Sequence, residues 1–190
     1  MLKWQKKEKR TKKTITLGSG LLYIDEFNGT IPENTVLETE DKLLGYIQGG
    51  AEVSYTPENY TAEDDLGYVK KTILTKEEAG LKSGIMTWNA TTLKKLVSTG
   101  RVTEDKVKGI RTIKIGGTNN QDGKSYVIHF VHKDKIDGDV RVTIVGRNQA
   151  GFTLAFAKDK ETVIDAEFKA EPCDDEGTLI IYQEEILKSA

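Results

Sequence analysis

Apolar and polar positions alternate with period two over most of the chain after residue 13, the spacing of half-buried β-strands. In 20–27, Leu21, Tyr23 and Phe27 share one face. In 43–56, Ala51, Val53 and Tyr55 alternate with Glu52, Ser54 and Thr56, and Gly49-Gly50 interrupts the run as a bulge or bend. Strand character resumes at Val69–Leu74. Between these strands lies the polar segment PENYTAEDDLG at 57–67, read as a long hairpin loop. Loops of that length are often functional.

The second half reads as an antiparallel meander. Ile113 and Ile115 share a face with Arg111 at 110–115, and Tyr126, Ile128 and Phe130 share one at 125–132. Val140, Val142 and Ile144 alternate with Arg141 and Thr143, Phe152, Leu154 and Phe156 with Thr153, Ala155 and Ala157, and then Ile164, Ala166 and Phe168 with Asp165, Glu167 and Lys169. Leu179 and Ile181 mark a short last strand. Turn chemistry separates the strands at Asp122-Gly123, Asp137-Gly138 and 147–151. One stretch has helical period: Leu93, Leu96 and Val97 make an i, i+3, i+4 stripe over 89–99, with Asn89 as N-cap and Gly100 at C′. The expected fold is mainly β: an antiparallel β-sandwich or barrel with one flanking α-helix and a long β-hairpin loop. No Pro-, Gly- or Ser-rich boundary divides 14–190, so we expect a basic arm at 1–13 and a single domain at 14–190.

Composition agrees. Val, Ile and Thr supply 49 of the 190 residues, an enrichment that favours strands. No run of 18 apolar residues predicts a membrane helix, and no apolar segment follows the basic start as in a secretory signal. The net charge of −2 conceals an asymmetry. Residues 1–13 hold seven cations and one acid, so residues 14–190 carry 21 bases against 29 acids, a net of −8. The arm residues Lys6, Lys7, Lys9, Arg10, Lys12 and Lys13 suit a solvated tail or an acidic face of another subunit. An acidic body argues against a dedicated nucleic-acid binder.

Catalytic constellations are thin, and we expect no enzyme activity, cofactor or metal site. His129 and His132 lie an odd number of positions apart on one strand, hence on opposite faces. Asp64-Asp65 and Asp174-Asp175-Glu176 lack the spacing of a calcium loop and read as turns. Gly18-Ser19-Gly20 and Gly116-Gly117 lack the phosphate-loop patterns. Cys173 is the one cysteine, and the acids beside it disfavour a thiolate.

Four segments carry a resemblance: TITLGSGLLYIDEFNGTIP at 14–32, LLGYIQGGAEVSYTP at 43–57, DDLGYVKKTILTKEEAGLKSGIMTWN at 64–89 and GFTLAFAKDKETVIDAEFKAEPCDDEGTLIIY at 151–182. Their order and content resemble the bacteriophage major tail proteins, the tail tube subunits, of phages with Gram-positive hosts. Residues 1–13 depart from that pattern, which usually begins near the TITLGSG segment. The resemblance implies a β-sandwich with a flanking helix, six subunits in a ring, and rings stacked into a hollow tube that conducts DNA at ejection. It implies as partners further copies of the chain, a tape measure protein and other tail proteins, with DNA in transit but not specifically bound. It also implies a place in the virion tail after assembly in the host cytoplasm. Within it, the 57–67 segment is the candidate inter-subunit or inter-ring element. Pro57, Tyr60, Glu63, Asp64, Asp65 and Leu66 are its site residues, Tyr60 and Leu66 as buried anchors and Asp64 and Asp65 as polar rim. The alternatives are a related ring protein (tail terminator, baseplate ring or secretion-system tube), a monomeric β-sandwich that binds a carbohydrate or small ligand, and a hydrolase built on a carboxylate pair. Trp4 in the arm and Trp88 before the helix form no evident aromatic platform for a sugar.

Overall fold

Most of the alternating segments become strands with one face on a core. The computed structural model describes residue 10 and residues 14–186. Among the described residues the strands are β1 (Leu21–Glu26), β2 (Leu43–Gly45), β3 (Ile47–Glu63), β4 (Lys70–Ile85), β5 (Arg101–Asp105), β6 (Ile110–Lys114), β7 (Tyr126–His132), β8 (Val140–Asn148), β9 (Ile164–Glu171) and β10 (Ile181–Glu184). The helices are α1 (Asn34–Leu37) and α2 (Ala90–Leu96).

Eight strands form one antiparallel sheet in the order β2-β1-β7-β8-β9-β4-β3, with β10 on β8 as the eighth. The sheet forks at β8. Val140–Thr143 pairs with β10, and Val145–Asn148 pairs with β9. Gly146 sits at the fork because the β9 backbone crosses close there: a Cβ would lie 1.9 Å from the Lys169 carbonyl oxygen. Leu22 and Ile24 of β1, Ile128 of β7, Ile144 of β8, Phe168 of β9 and Leu81 of β4 point to one core, which Leu93 and Leu96 of α2 complete. A smaller cluster on the other face joins Val127 and Val145 to Leu37 of α1. The fold is thus mainly β, antiparallel, with a flanking helix.

Asn89 caps α2 as its spacing predicts: its Oδ1 accepts from the Thr91 and Thr92 amides at 2.8 and 3.1 Å. Gly49 and Gly50 form the expected bulge, with φ of 79° and 81° and a register shift between Gln48 and Ala51.

Four expectations need correction. Residues 57–63 are strand, not loop: β3 and β4 remain paired out to Glu63 and Lys70, so only 64–69 turn the chain. The helix stops at Leu96, because Val97 is already extended, and Gly100 has no positive φ. The Phe152–Phe156 alternation makes no strand. Phe152 and Leu154 pack on the core from an irregular segment, and β9, which follows, takes the place in the sheet between β8 and β4. Finally, β6 lies outside the meander and forms a separate two-stranded sheet with β5.

Candidate assembly surface

The ribbon β3–β4 leaves the body of the molecule. Its base belongs to the core through Leu81 and Ile85, yet every residue from 52 to 77 is exposed. Backbone pairing is continuous along it apart from the two shifts, and short-range side-chain pairs stiffen it. Thr61 and Thr72 share a hydroxyl hydrogen bond of 2.9 Å, Lys76 pairs with Glu58 at 3.2 Å and with Glu78 at 2.8 Å, and Tyr55 donates to Glu77 at 2.5 Å. All but the Lys76–Glu78 pair, which lies within β4, run from one strand to the other.

The predicted site residues all lie on this ribbon. Pro57 pairs in register with Glu77, Tyr60 with Ile73, and Glu63 with Lys70, with an ion pair of 3.4 Å in the last case. Asp64 is a turn residue rather than a free rim carboxylate. Its two oxygens accept the Val69 amide at 2.5 Å and the Leu66 amide at 3.3 Å, and those amides hold its carboxyl below the usual range. Gly67 supplies the positive φ the turn requires. Asp65 is exposed, and Leu66 projects with Tyr68 and Val69 at the tip, where Tyr68 is 84% exposed. Tyr60 and Leu66 are therefore uncovered within one chain. Sequence reasoning missed Tyr68, Ile73 and Leu74, which add to the same exposed apolar set.

Of the basic arm, only Arg10 falls within the described residues; Lys6, Lys7, Lys9, Lys12 and Lys13, like Trp4, lie outside them. Arg10 contacts its own chain. It donates to the Thr16 hydroxyl at 2.7 Å and the Gly138 carbonyl at 3.2 Å, and sits 4.0 Å from Asp134. Within one chain these contacts fix Arg10 against the 134–138 turn.

The groups with chemical potential are engaged in structure. His129 and His132 are both buried on opposite faces of β7, with Nδ1 contacts of 2.8 Å to the Thr143 hydroxyl and the Ser19 carbonyl. Burial and Asp174 push the Cys173 thiol pKa up. Asp174 closes a turn by accepting the Glu176 and Thr178 amides. A cleft of about 380 Å³ lies between β2 and the start of α2. Three of its polar side chains serve the fold: Asn89 caps α2, Trp88 Nε1 donates to the Thr162 carbonyl at 3.3 Å, and Lys95 Nζ donates to the Ile24 carbonyl at 3.3 Å. Among the described residues no group of His, Cys, Asp or Glu side chains is placed to hold a metal ion, and no helix is long and apolar enough to cross a membrane. No protein-family model and no curated protein matches the chain.

Proposed function

We propose that the chain is a structural subunit that assembles with copies of itself into stacked rings, the tube of a bacteriophage tail that conducts DNA. The observation that carries this reading is the β3–β4 ribbon. A two-stranded hairpin in water is marginal on its own. This one extends from the body with Tyr60, Leu66, Tyr68, Val69, Ile73 and Leu74 uncovered. Tyr60 and Ile73 face each other across the ladder while Leu74 lies on the opposite face, so both sides of the ribbon offer apolar side chains to a partner.

A second feature supports it. β3 ends the strand order, so a 17-residue strand, about 55 Å long at about 3.3 Å per residue, has a free edge. Monomeric proteins avoid long free edges because they template further pairing. In a ring, each edge is covered by the neighbour, and a head-to-tail contact between rings propagates as a filament. The net charge of −8 over residues 14–190 suits a bore from which phosphates are repelled, so DNA passes without specific binding. A tape measure protein and other tail proteins are the further partners, and the virion tail is the site of action.

The test is negative-stain electron microscopy of the purified protein over a concentration series. Hollow rings or tubes of uniform width are expected. Monomeric particles at every concentration overturn the reading.

A further inference from the structure

We propose that the β5–β6 hairpin is the receptor for the β3–β4 ribbon of another copy of the chain. The inference rests on the assembly reading above and names the surface on which the ribbon lands.

The hairpin is the second protrusion of the molecule. Only Val102 and Ile113, a cross-strand pair, are partly buried in it; the rest of 101–114 is exposed. Its turn is rigid by construction. Asp105 Oδ1 accepts the Val107 and Lys108 amides at 3.1 and 3.0 Å, and Gly109 takes a φ of 65°. This turn holds Val107 98% exposed, with Ile110 beside it. An apolar tip on a fixed turn matches the other protrusion, where Leu66, Tyr68 and Val69 sit on the turn that Asp64 fixes.

Charge selects the pairing. Residues 101–114 hold Arg101, Lys106, Lys108, Arg111 and Lys114 against Glu104 and Asp105, a net of +3 in an acidic body. Both acids are paired within the hairpin, Glu104 with Arg111 at 2.6 Å and Asp105 with Lys108 at 3.5 Å. Lys106 and Lys114 have no carboxylate within ion-pair distance among the described residues. The exposed ribbon, residues 52–77, holds six acids and three lysines, a net of −3. The two protrusions thus carry equal and opposite charge around apolar tips, the arrangement of an apolar interface centre with a complementary rim. Tyr68 and Val107 are each almost fully exposed, so the two tips do not meet within one chain. The contact joins two copies. Nucleic acid is a poorer occupant, since a phosphate backbone leaves Val107 and Ile110 uncovered.

The experiment compares the wild type with the hairpin variant Lys106→Glu/Lys114→Glu, which takes the hairpin from +3 to −1, with the ribbon variant Glu52→Lys/Asp65→Lys, which takes the ribbon from −3 to +1, and with the four changes combined, which restore opposite charge, by light scattering and electron microscopy over protein and salt concentration. Circular dichroism melting confirms that each variant is folded. The hairpin variant is expected to need about tenfold more protein to assemble, and the combined variant to recover. Raising salt from about 0.1 M to about 0.5 M should weaken wild-type assembly and affect the hairpin variant less. If the hairpin variant itself fails to fold, the ribbon variant alone should show the loss. Tubes from both the hairpin variant and the ribbon variant at the wild-type concentration overturn this inference while the assembly reading stands. Loss in the hairpin variant without recovery in the combined one overturns the pairing. Unchanged assembly with lost binding of duplex DNA assigns the hairpin to nucleic acid instead. A wild type that never assembles overturns the assembly reading and this inference together.

Discussion

The Nε2 atom of His129 lies 3.7 Å from Oε1 of Glu38 in a site where the imidazole has 0% exposure. Glu38 also accepts from Arg141 Nε at 2.5 Å and pairs with Lys133. Arg141 and Lys133 reach Asp139 at 3.4 and 3.5 Å. Tyr23 faces the imidazole at 6.3 Å between centroids, and Thr143 closes its other side. A charged network therefore ties the segment carrying α1 to β7 and β8, across the face opposite the main core.

Stability should fall in two steps on acidification. Burial depresses the His129 pKa below its ordinary 6.5, despite the pull of Glu38. The unfolded chain then takes up that proton first. The contribution is complete above about pH 6.5 and is lost as pH falls through the lower folded value. Glu38 behaves alike at lower pH. Burial raises its pKa, but hydrogen bonds from Arg141 and Lys133 outweigh that and hold it below its ordinary 4.5, so its contribution is lost below that range. Denaturation midpoints at about pH 7.5 and about pH 5.5 isolate the first step. His129→Gln should flatten the difference between them. An unchanged difference refutes the assignment.

Removing the carboxylate while leaving its partners should cost more than an exposed ion pair. The Glu38 and Arg141 side chains are only 13% and 15% exposed. Glu38→Ala removes the nearest of the carboxylates that Arg141 reaches and the one beside His129, and a loss of about 2 kcal/mol is expected from chemical denaturation. A loss within the range of a surface pair, under about 0.5 kcal/mol, shows that water replaces the carboxylate.

How much of this was legible in the sequence depended on burial. Ile128, Ile144 and Phe168 alternate because one face of their strands meets a core, and their strands were read; β1 was read too, but on the Leu21, Tyr23 and Phe27 face, whereas Leu22 and Ile24 meet the main core. Residues 57–63 are equally regular strand, but both faces meet water, so no apolar period marks them. The Phe152–Phe156 alternation was present without a strand: Phe152 and Leu154 reach the core, but no ladder includes the segment, and a pattern of side chains does not by itself supply backbone pairing. The Glu38–His129 network escaped for a third reason. Glu38 follows a four-residue helix in an irregular segment, and only the sheet's register brings β7 and β8 beneath it.

Gly146 marks the fork of the sheet, and alanine there should be severe. The added carbon would stand 1.9 Å from the Lys169 oxygen and 2.9 Å from its carbonyl carbon, both backbone atoms that side-chain motion cannot clear. The Gly146–Ala170 pairing must open. Gly146→Ala should lower stability by about 3 kcal/mol by chemical denaturation. A change below about 1 kcal/mol would mean that β8 and β9 slide apart easily, and the fork would not be a rigid feature.

The ribbon offers the cleanest separation of folding from assembly. None of residues 58–76 belongs to either core cluster, and Pro57 and Glu77 are directly opposite in the ladder. Replacing 58–76 by Asn-Gly, the dipeptide suited to a two-residue hairpin turn, closes the ribbon at that pair. Deleting one side of the ribbon alone would instead leave a strand unpaired. The shortened protein keeps Leu81, Ile85 and their partners, so its melting temperature should change by only a few degrees. If the ribbon links subunits, this folded protein forms no long tubes under conditions where the full chain does. Tubes of normal length from the shortened chain remove the ribbon from the interface, and the free edge of β3 below residue 57 then becomes the surface that joins the subunits.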